Sequence, residues 1–141
     1  MKQLITVRPT PSFALALPDG ICDQRDERVS SFWFDGKPLL LQISSYSRSE
    51  GNQVTAHERL ADRTAKDNQN WRLWKMKVHP DRSLDQATAE FLDEKGFLWI
   101  HSYLVWPHVT VYITVSGPAA DVRLPGNWAI TALQSVTPTT G

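Results

Sequence analysis

The chain has 141 residues, 41% hydrophobic and 21% charged, which fits one folded domain and excludes a chain too polar to bury a core. Its 15 Lys and Arg balance 15 Asp and Glu, so no net field draws in nucleic acid or anionic lipid. The single cysteine, Cys22, excludes an internal disulfide and a cysteine-cage zinc site.

Cys22 stands beside Asp23, and neighbouring negative charge disfavours a reactive thiolate, so an inert cysteine is expected. Leu4-Ile5-Thr6-Val7 is too short for a signal-peptide apolar stretch, and no run approaches the roughly 20 apolar residues of a membrane helix. The expected location is cytoplasmic, without membrane attachment.

Phe13, Leu15 and Leu17 alternate with Ala14 and Ala16, a short strand closed by the turn Pro18-Asp19-Gly20. The polar stretch 22–28 reads as loop. Asp35-Gly36 joins the β-prone runs Val29–Phe34 and Pro38–Ile43, the pattern of a tight hairpin whose turn needs positive φ. Pro38 cannot donate to a ladder, so it belongs at an edge or at a strand start. After a loop over 47–53, Thr55 and Glu58 form a capping box for a helix running to about Gln69, with a thin apolar stripe of Ala56, Leu60, Ala61 and Ala65. Trp71–Val78 reads as a strand with Trp74, Met76 and Val78 inward.

Ser83–Glu94 admits two readings. As a helix, Ser83 and Gln86 cap it and Gly96 stops it. As a strand, Ala87, Ala89 and Phe91 alternate with Thr88, Glu90 and Leu92, and Asp93–Gly96 makes a hairpin loop. The strand is favoured because a strand of matching length follows. That next segment, Phe97–Ser116, carries the clearest signal: two β-rich runs turning at Trp106-Pro107-His108. With Val105 opposite Val109, one face holds Trp99, His101 and Tyr103, and the other Leu98, Ile100, Leu104, Trp106 and Tyr112. Both faces are then apolar, which a sheet normally shows only when each is covered. A loop follows Gly117-Pro118, and Asn127 caps an amphipathic helix of Trp128, Ala129, Ala132, Leu133 and Val136. A single domain over 1–141 is expected, with 137–141 a frayed tail.

The opening Phe13-Ala14-Leu15-Ala16-Leu17-Pro18-Asp19-Gly20, the hairpin after it, the helix Thr55-Ala56-His57-Glu58-Arg59-Leu60-Ala61-Asp62, the meander and the closing Trp128–Ser135 helix together resemble the PsbP/Mog/DcrB-like family over about residues 11–136. The resemblance implies an α+β fold, an antiparallel β-sheet of about six strands flanked by helices. It also implies a mostly non-enzymatic protein, since members bind partner proteins: a Ran-binding nuclear protein, a photosystem subunit, bacterial adaptor chaperones for secretion-system effectors. It carries no catalytic residue onto this chain.

The residues themselves offer little chemistry. His57-Glu58 begins like a zinc-protease helix, but position 61 is Ala, and capping explains Glu58. His101 and His108 lack a third ligand. No nucleophile elbow, phosphate loop or dinucleotide fingerprint occurs, so no metal and no cofactor are expected. Trp71-Arg72-Leu73-Trp74-Lys75-Met76-Lys77 interleaves basic and aromatic residues as single-strand binders do, yet strand alternation yields the same pattern, so no nucleic-acid partner is expected.

The oddity is six tryptophans, a residue enriched at interface hot spots. The expected function is a non-catalytic protein-binding module, of the adaptor or chaperone kind, docking a client on an apolar sheet face through Leu98, Ile100, Leu104, Trp106 and Tyr112, or through Trp99 and Tyr103 if the opposite face is open. The alternative is a small-molecule or lipid sensor using the same surface as a pocket. An edge strand beginning at Pro38 would allow a homodimer by sheet extension.

Overall fold

The computed structural model describes residues 3–47, 54–66, 72–78 and 85–139, with 64–66 and 72–78 as backbone only. In chain order the elements are β1 (Leu4–Thr10), β2 (Phe13–Pro18), β3 (Cys22–Arg25), β4 (Ser30–Trp33), β5 (Leu40–Ser47), α1 (Ala56–Lys66), β6 (Arg72–Val78), β7 (Asp85–Leu92), β8 (Phe97–Trp106), β9 (Val109–Pro118), α2 (Ala119–Val122), α3 (Trp128–Ser135) and β10 (Thr137–Pro138). They build an α+β fold: a seven-stranded sheet in the order β3-β4-β5-β9-β8-β7-β6 and a three-stranded sheet in the order β1-β2-β10. Every pairing is antiparallel.

The expected helix begins where the capping box places it. The Thr55 hydroxyl accepts from the Glu58 amide at 3.1 Å and lies 3.2 Å from the Glu58 carboxylate. The Asp85 carboxylate, across on β7, accepts from the Ala56 amide at 2.9 Å, so this helix end is satisfied twice. The expected span 67–69, the loop 48–53, Trp71 and the side chains of Trp74, Met76 and Val78 lie outside the described residues. Ser83–Glu94 resolves to strand from Asp85 onward, and its turn closes with Gly96 at φ 83°.

Several expectations need correction. The polar stretch 22–28 contains β3, a short edge strand wet on both faces and hence without a hydrophobic period. Leu4–Thr10 is also a strand, and α2 follows β9 where a loop was expected. The hairpin at Asp35-Gly36 is not a two-residue one: Trp33 pairs with Leu40, and a turn closed by Lys37 N–H to Phe34 O at 3.0 Å sits inside a longer loop. Pro38 accounts for this, since without an N–H it cannot open the ladder. The strand after it lies between β4 and β9, so no free edge begins there for a homodimer. Finally, Thr137 and Pro138 pair with Ala14 and Phe13, and Thr139 N–H donates to Ser12 O at 3.1 Å, so 137–139 of the segment expected to fray are tied down, while 140 and 141 lie outside the described residues.

The β8–β9 hairpin forms as expected, but one residue out of the expected register: Trp106 pairs with Val109, Val105 with Thr110, Tyr103 with Tyr112 and His101 with Thr114. Only Pro107 and His108 make the turn. Such a slip reassigns every cross-strand neighbour. Leu98, Ile100, Leu104 and Trp106 now share a face with Val109, Val111, Ile113 and Val115, whereas Tyr112 moves to the face of Trp99, His101 and Tyr103. One face becomes aliphatic and the other aromatic and polar, so each meets a matching cover.

The aliphatic face is covered by the small sheet and α3. Phe13, Leu15 and Leu17 of β2 and Ala129, Ala132 and Leu133 of α3 join Leu41, Ile43, Leu98, Leu104, Val111, Ile113 and Val115 in one buried cluster. Each large side chain enclosed there contributes about 1.5–3 kcal/mol of burial. Asn127 starts α3 by accepting from Ile130 N–H at 2.9 Å. The other face is covered over β7 and β8 by α1, through Ala56 and Leu60 against Ala87, Ala89, Phe91, Tyr103 and Val105.

Candidate binding cleft

The structure encloses most of the side chains expected to dock a client. Leu98, Ile100 and Leu104 are 1%, 6% and 0% exposed beneath the small sheet. A partner reaches them only by displacing that sheet. Tyr103 is 7% exposed under α1, while Trp99, Trp106 and Tyr112 are half-buried at the rims of the two clusters. The cover is made by β2 and α3, each readable as a local pattern, but that their buried faces close over this ribbon depends on contacts distant in the chain.

On the aromatic face the side chains hold one another. Tyr103 and Tyr112, a direct cross-strand pair, stack with centroids 4.6 Å apart. Tyr112 Oη lies 2.6 Å from His101 Nδ1. Arg63 of α1 donates from Nε to Tyr103 Oη at 2.9 Å and lays its guanidinium 4.3 Å from the Tyr112 ring centre. At the far end of β8, Asp93 accepts from Phe97 N–H and Lys95 N–H, both at 2.9 Å, and from Trp99 Nε1 at 3.1 Å. Burial works to raise the Asp93 pKa, but these three donors together hold the carboxyl below its ordinary 3.8.

The accessible apolar ground lies elsewhere. The loop between β4 and β5, the start of β3 and the corner joining α2 to α3 border a half-open cleft of about 580 Å3. Phe34, Pro38, Leu39, Leu124 and Trp128 supply its apolar wall, and Asp35, Lys37 and Asp121 its charged border. Phe34 meets Trp128 edge to face at 5.6 Å between centroids, which fixes both rings. Asn127 Nδ2 donates to Val122 O at 2.8 Å and Leu124 O at 3.1 Å, which fixes the corner and leaves the Leu124 side chain 61% exposed on the lip. From sequence, Trp128 belongs to the amphipathic C-terminal helix, and nothing there joins it to Phe34, Pro38, Leu39 or Leu124. The available signal was Leu124, a lone large apolar residue between Arg123 and Pro125.

No protein-family model matches the chain, and no curated protein is similar to it at a significant level. Among solved structures, a protein from Bacteroides thetaiotaomicron VPI-5482 shares the fold, with a TM-score of 0.56 at 14% identity over 91% of this chain. The chain spans 45% of that protein's length. At this identity the likeness concerns the fold alone. Among the described residues, no helix is long and apolar enough to cross a membrane.

Proposed function

We propose that this chain is a non-catalytic protein-binding module that seats a large apolar side chain of its partner in the cleft between the β4–β5 loop and the α2–α3 corner. The observation that carries the reading is the cleft itself: about 580 Å3 walled by rigid aromatic and aliphatic side chains, with Leu124 exposed on its lip. An apolar centre bordered by charge is the ordinary anatomy of a protein interface. Interfaces of this kind concentrate their affinity in a few aromatic and aliphatic anchors. The narrower reading, an adaptor or chaperone for a secreted bacterial effector working in the cytoplasm, draws on the resemblance to the PsbP/Mog/DcrB-like family.

The test is affinity capture from the native cell with three baits: the wild-type chain, Leu124→Asp and Leu4→Asp. Leu4 is 50% exposed on β1 and is not among the residues that line the cleft, so its variant controls for added charge. A partner held by the wild type and by Leu4→Asp but lost by Leu124→Asp supports the reading. A partner held equally by all three overturns it. A small apolar ligand is the second reading, because the cleft volume falls within the roughly 300–1,000 Å3 of small-molecule sites. It predicts a rise in Tm with an amphiphile that Leu124→Asp abolishes.

A further inference from the structure

We propose that the chain pairs with a second copy of itself along the outer edge of β3, joining two seven-stranded sheets into one. β3 stands at the end of the strand order, and among the described residues no strand pairs with its outer side. Asp23, Gln24 and Arg25 are all exposed. The internal segments outside the described residues, 48–53, 67–71 and 79–84, connect β5, α1, β6 and β7, and none begins or ends on β3 or β4.

The ladder decides which backbone groups face outward. Asp26 N–H donates to Val29 O at 3.0 Å across the turn after β3. Hydrogen-bonded and non-bonded pairs alternate along antiparallel strands, so Gln24–Ser31 and Cys22–Trp33 are the bonded pairs of β3 on β4. The N–H and C=O groups of Asp23 and Arg25 therefore point to the open edge. The turn that presents this edge is itself held. Asp26 Oδ1 accepts from Arg28 N–H and Val29 N–H, both at 2.8 Å, so a partner strand need not order it.

Charge selects the partner. Asp23 and Arg25 share one face of β3 and form an exposed ion pair at 3.2 Å. A short, charged edge turns most strands away. This one is complementary to itself in a single arrangement: antiparallel, with Gln24 opposite Gln24 of the second copy. Asp23 then faces Arg25 of the second copy, and Arg25 faces its Asp23. These are the same residues whose backbone groups point outward, so each pair exchanges two backbone hydrogen bonds as well as opposite charges. The contact obeys a two-fold axis, the commonest symmetry of homodimers. A slide of two places sets Asp23 on Asp23 or Arg25 on Arg25, and like charges directly opposite are destabilising.

So short a contact buries far less than the roughly 1,200 Å2 of a standard stable interface, which makes the dimer weak, with a dissociation constant on the order of 100 μM. At about 10 μM the chain is then largely monomeric.

The experiment is sedimentation equilibrium of the full chain from about 10 μM to 1 mM at low salt. The mass is expected to rise from one chain towards two, and the association to weaken severalfold at high salt, where exposed charges are screened. Asp23→Arg and Arg25→Glu should each weaken it at least tenfold, because each sets like charges opposite one another. An equimolar mixture of these two variants should associate again, since opposite signs then meet at both pairs. Amide hydrogen exchange at Asp23 and Arg25 should slow as the wild-type chain is concentrated, with Cys22 and Gln24 unchanged because they are already bonded to β4. A mass of one chain throughout the range overturns the proposal. So does a dimer that neither variant weakens, a mixture that stays monomeric, or exchange at Asp23 and Arg25 that ignores concentration; the last needs no variant to fold. Neither residue lines the cleft, so the cleft reading stands or falls separately.

Discussion

Gly117 is the residue where one missing carbon matters most. A Cβ there would lie 3.0 Å from the Pro38 carbonyl oxygen and 3.0 Å from Leu39 Cδ2. The carbonyl belongs to the backbone, so the β4–β5 loop must shift for the carbon to fit. Gly117→Ala is expected to cost about 1–3 kcal/mol, read as a lowered urea midpoint at unchanged slope. Because Pro38 and Leu39 wall the cleft, the same variant should weaken whatever the cleft binds. Asp93 makes a second residue-scale prediction. Its folded pKa is lowered, so its contribution is full above the unfolded value of 3.8 and fades as pH falls through the folded value. Asp93→Asn should therefore destabilise at pH 6, by a few tenths to about 1 kcal/mol after allowance for solvent screening, and should match the wild type near pH 2. A deficit that persists undiminished in acid would assign the effect to turn geometry instead of charge.

Among the elements, α1 is held to the sheet by a narrow stripe. Within its described side chains, only Ala56 and Leu60 are fully buried, against Ala87, Ala89, Phe91, Tyr103 and Val105. Leu60→Ala is expected to cost about 2–4 kcal/mol. Much of that cost should appear as local opening: amide hydrogen exchange in α1 should quicken well before exchange in β8 and β9. Uniform quickening across the chain would mean that the helix is integral to the global fold. The same element shows what could be read from sequence. A capping box is a contact between residues three apart, and so is the Asn127 cap, so both helix starts were legible. Strand alternation in 85–92 and 97–116 was equally local. What escaped depends on distant partners. The register of β8 on β9 follows from a two-residue turn and from which face finds an aliphatic cover. That cover is built by β1 and β2 at one end of the chain and α3 and β10 at the other. The cleft was illegible for the same reason, since Phe34 and Trp128 meet only after folding.

At the scale of the whole molecule, the two ends of the described chain meet on one strand. β1 pairs with one side of β2 and β10 with the other, so the small sheet that shields the aliphatic face is closed from both termini. The β1 edge carries Leu4 and Ile5 at 50% and 39% exposure, with Arg8 and Pro9 along it as the charge and imino acid that discourage further pairing. The β2 edge has no such guard and relies on β10. Thr137 and Pro138 cover Ala14 and Phe13, Thr139 N–H bonds Ser12 O at 3.1 Å, and the Thr139 hydroxyl donates to Pro11 O. Deleting residues 137–141 keeps the buried Val136 but opens this edge. Losing two or three net hydrogen bonds of about 1 kcal/mol each should lower Tm by roughly 5–10 °C. The bare β2 edge should also raise concentration-dependent self-association, visible by light scattering. A truncated chain that melts within 1 °C of the full one and stays monomeric would return the tail to the frayed state its composition suggests, and would leave the small sheet resting on β1, β2 and α3 alone.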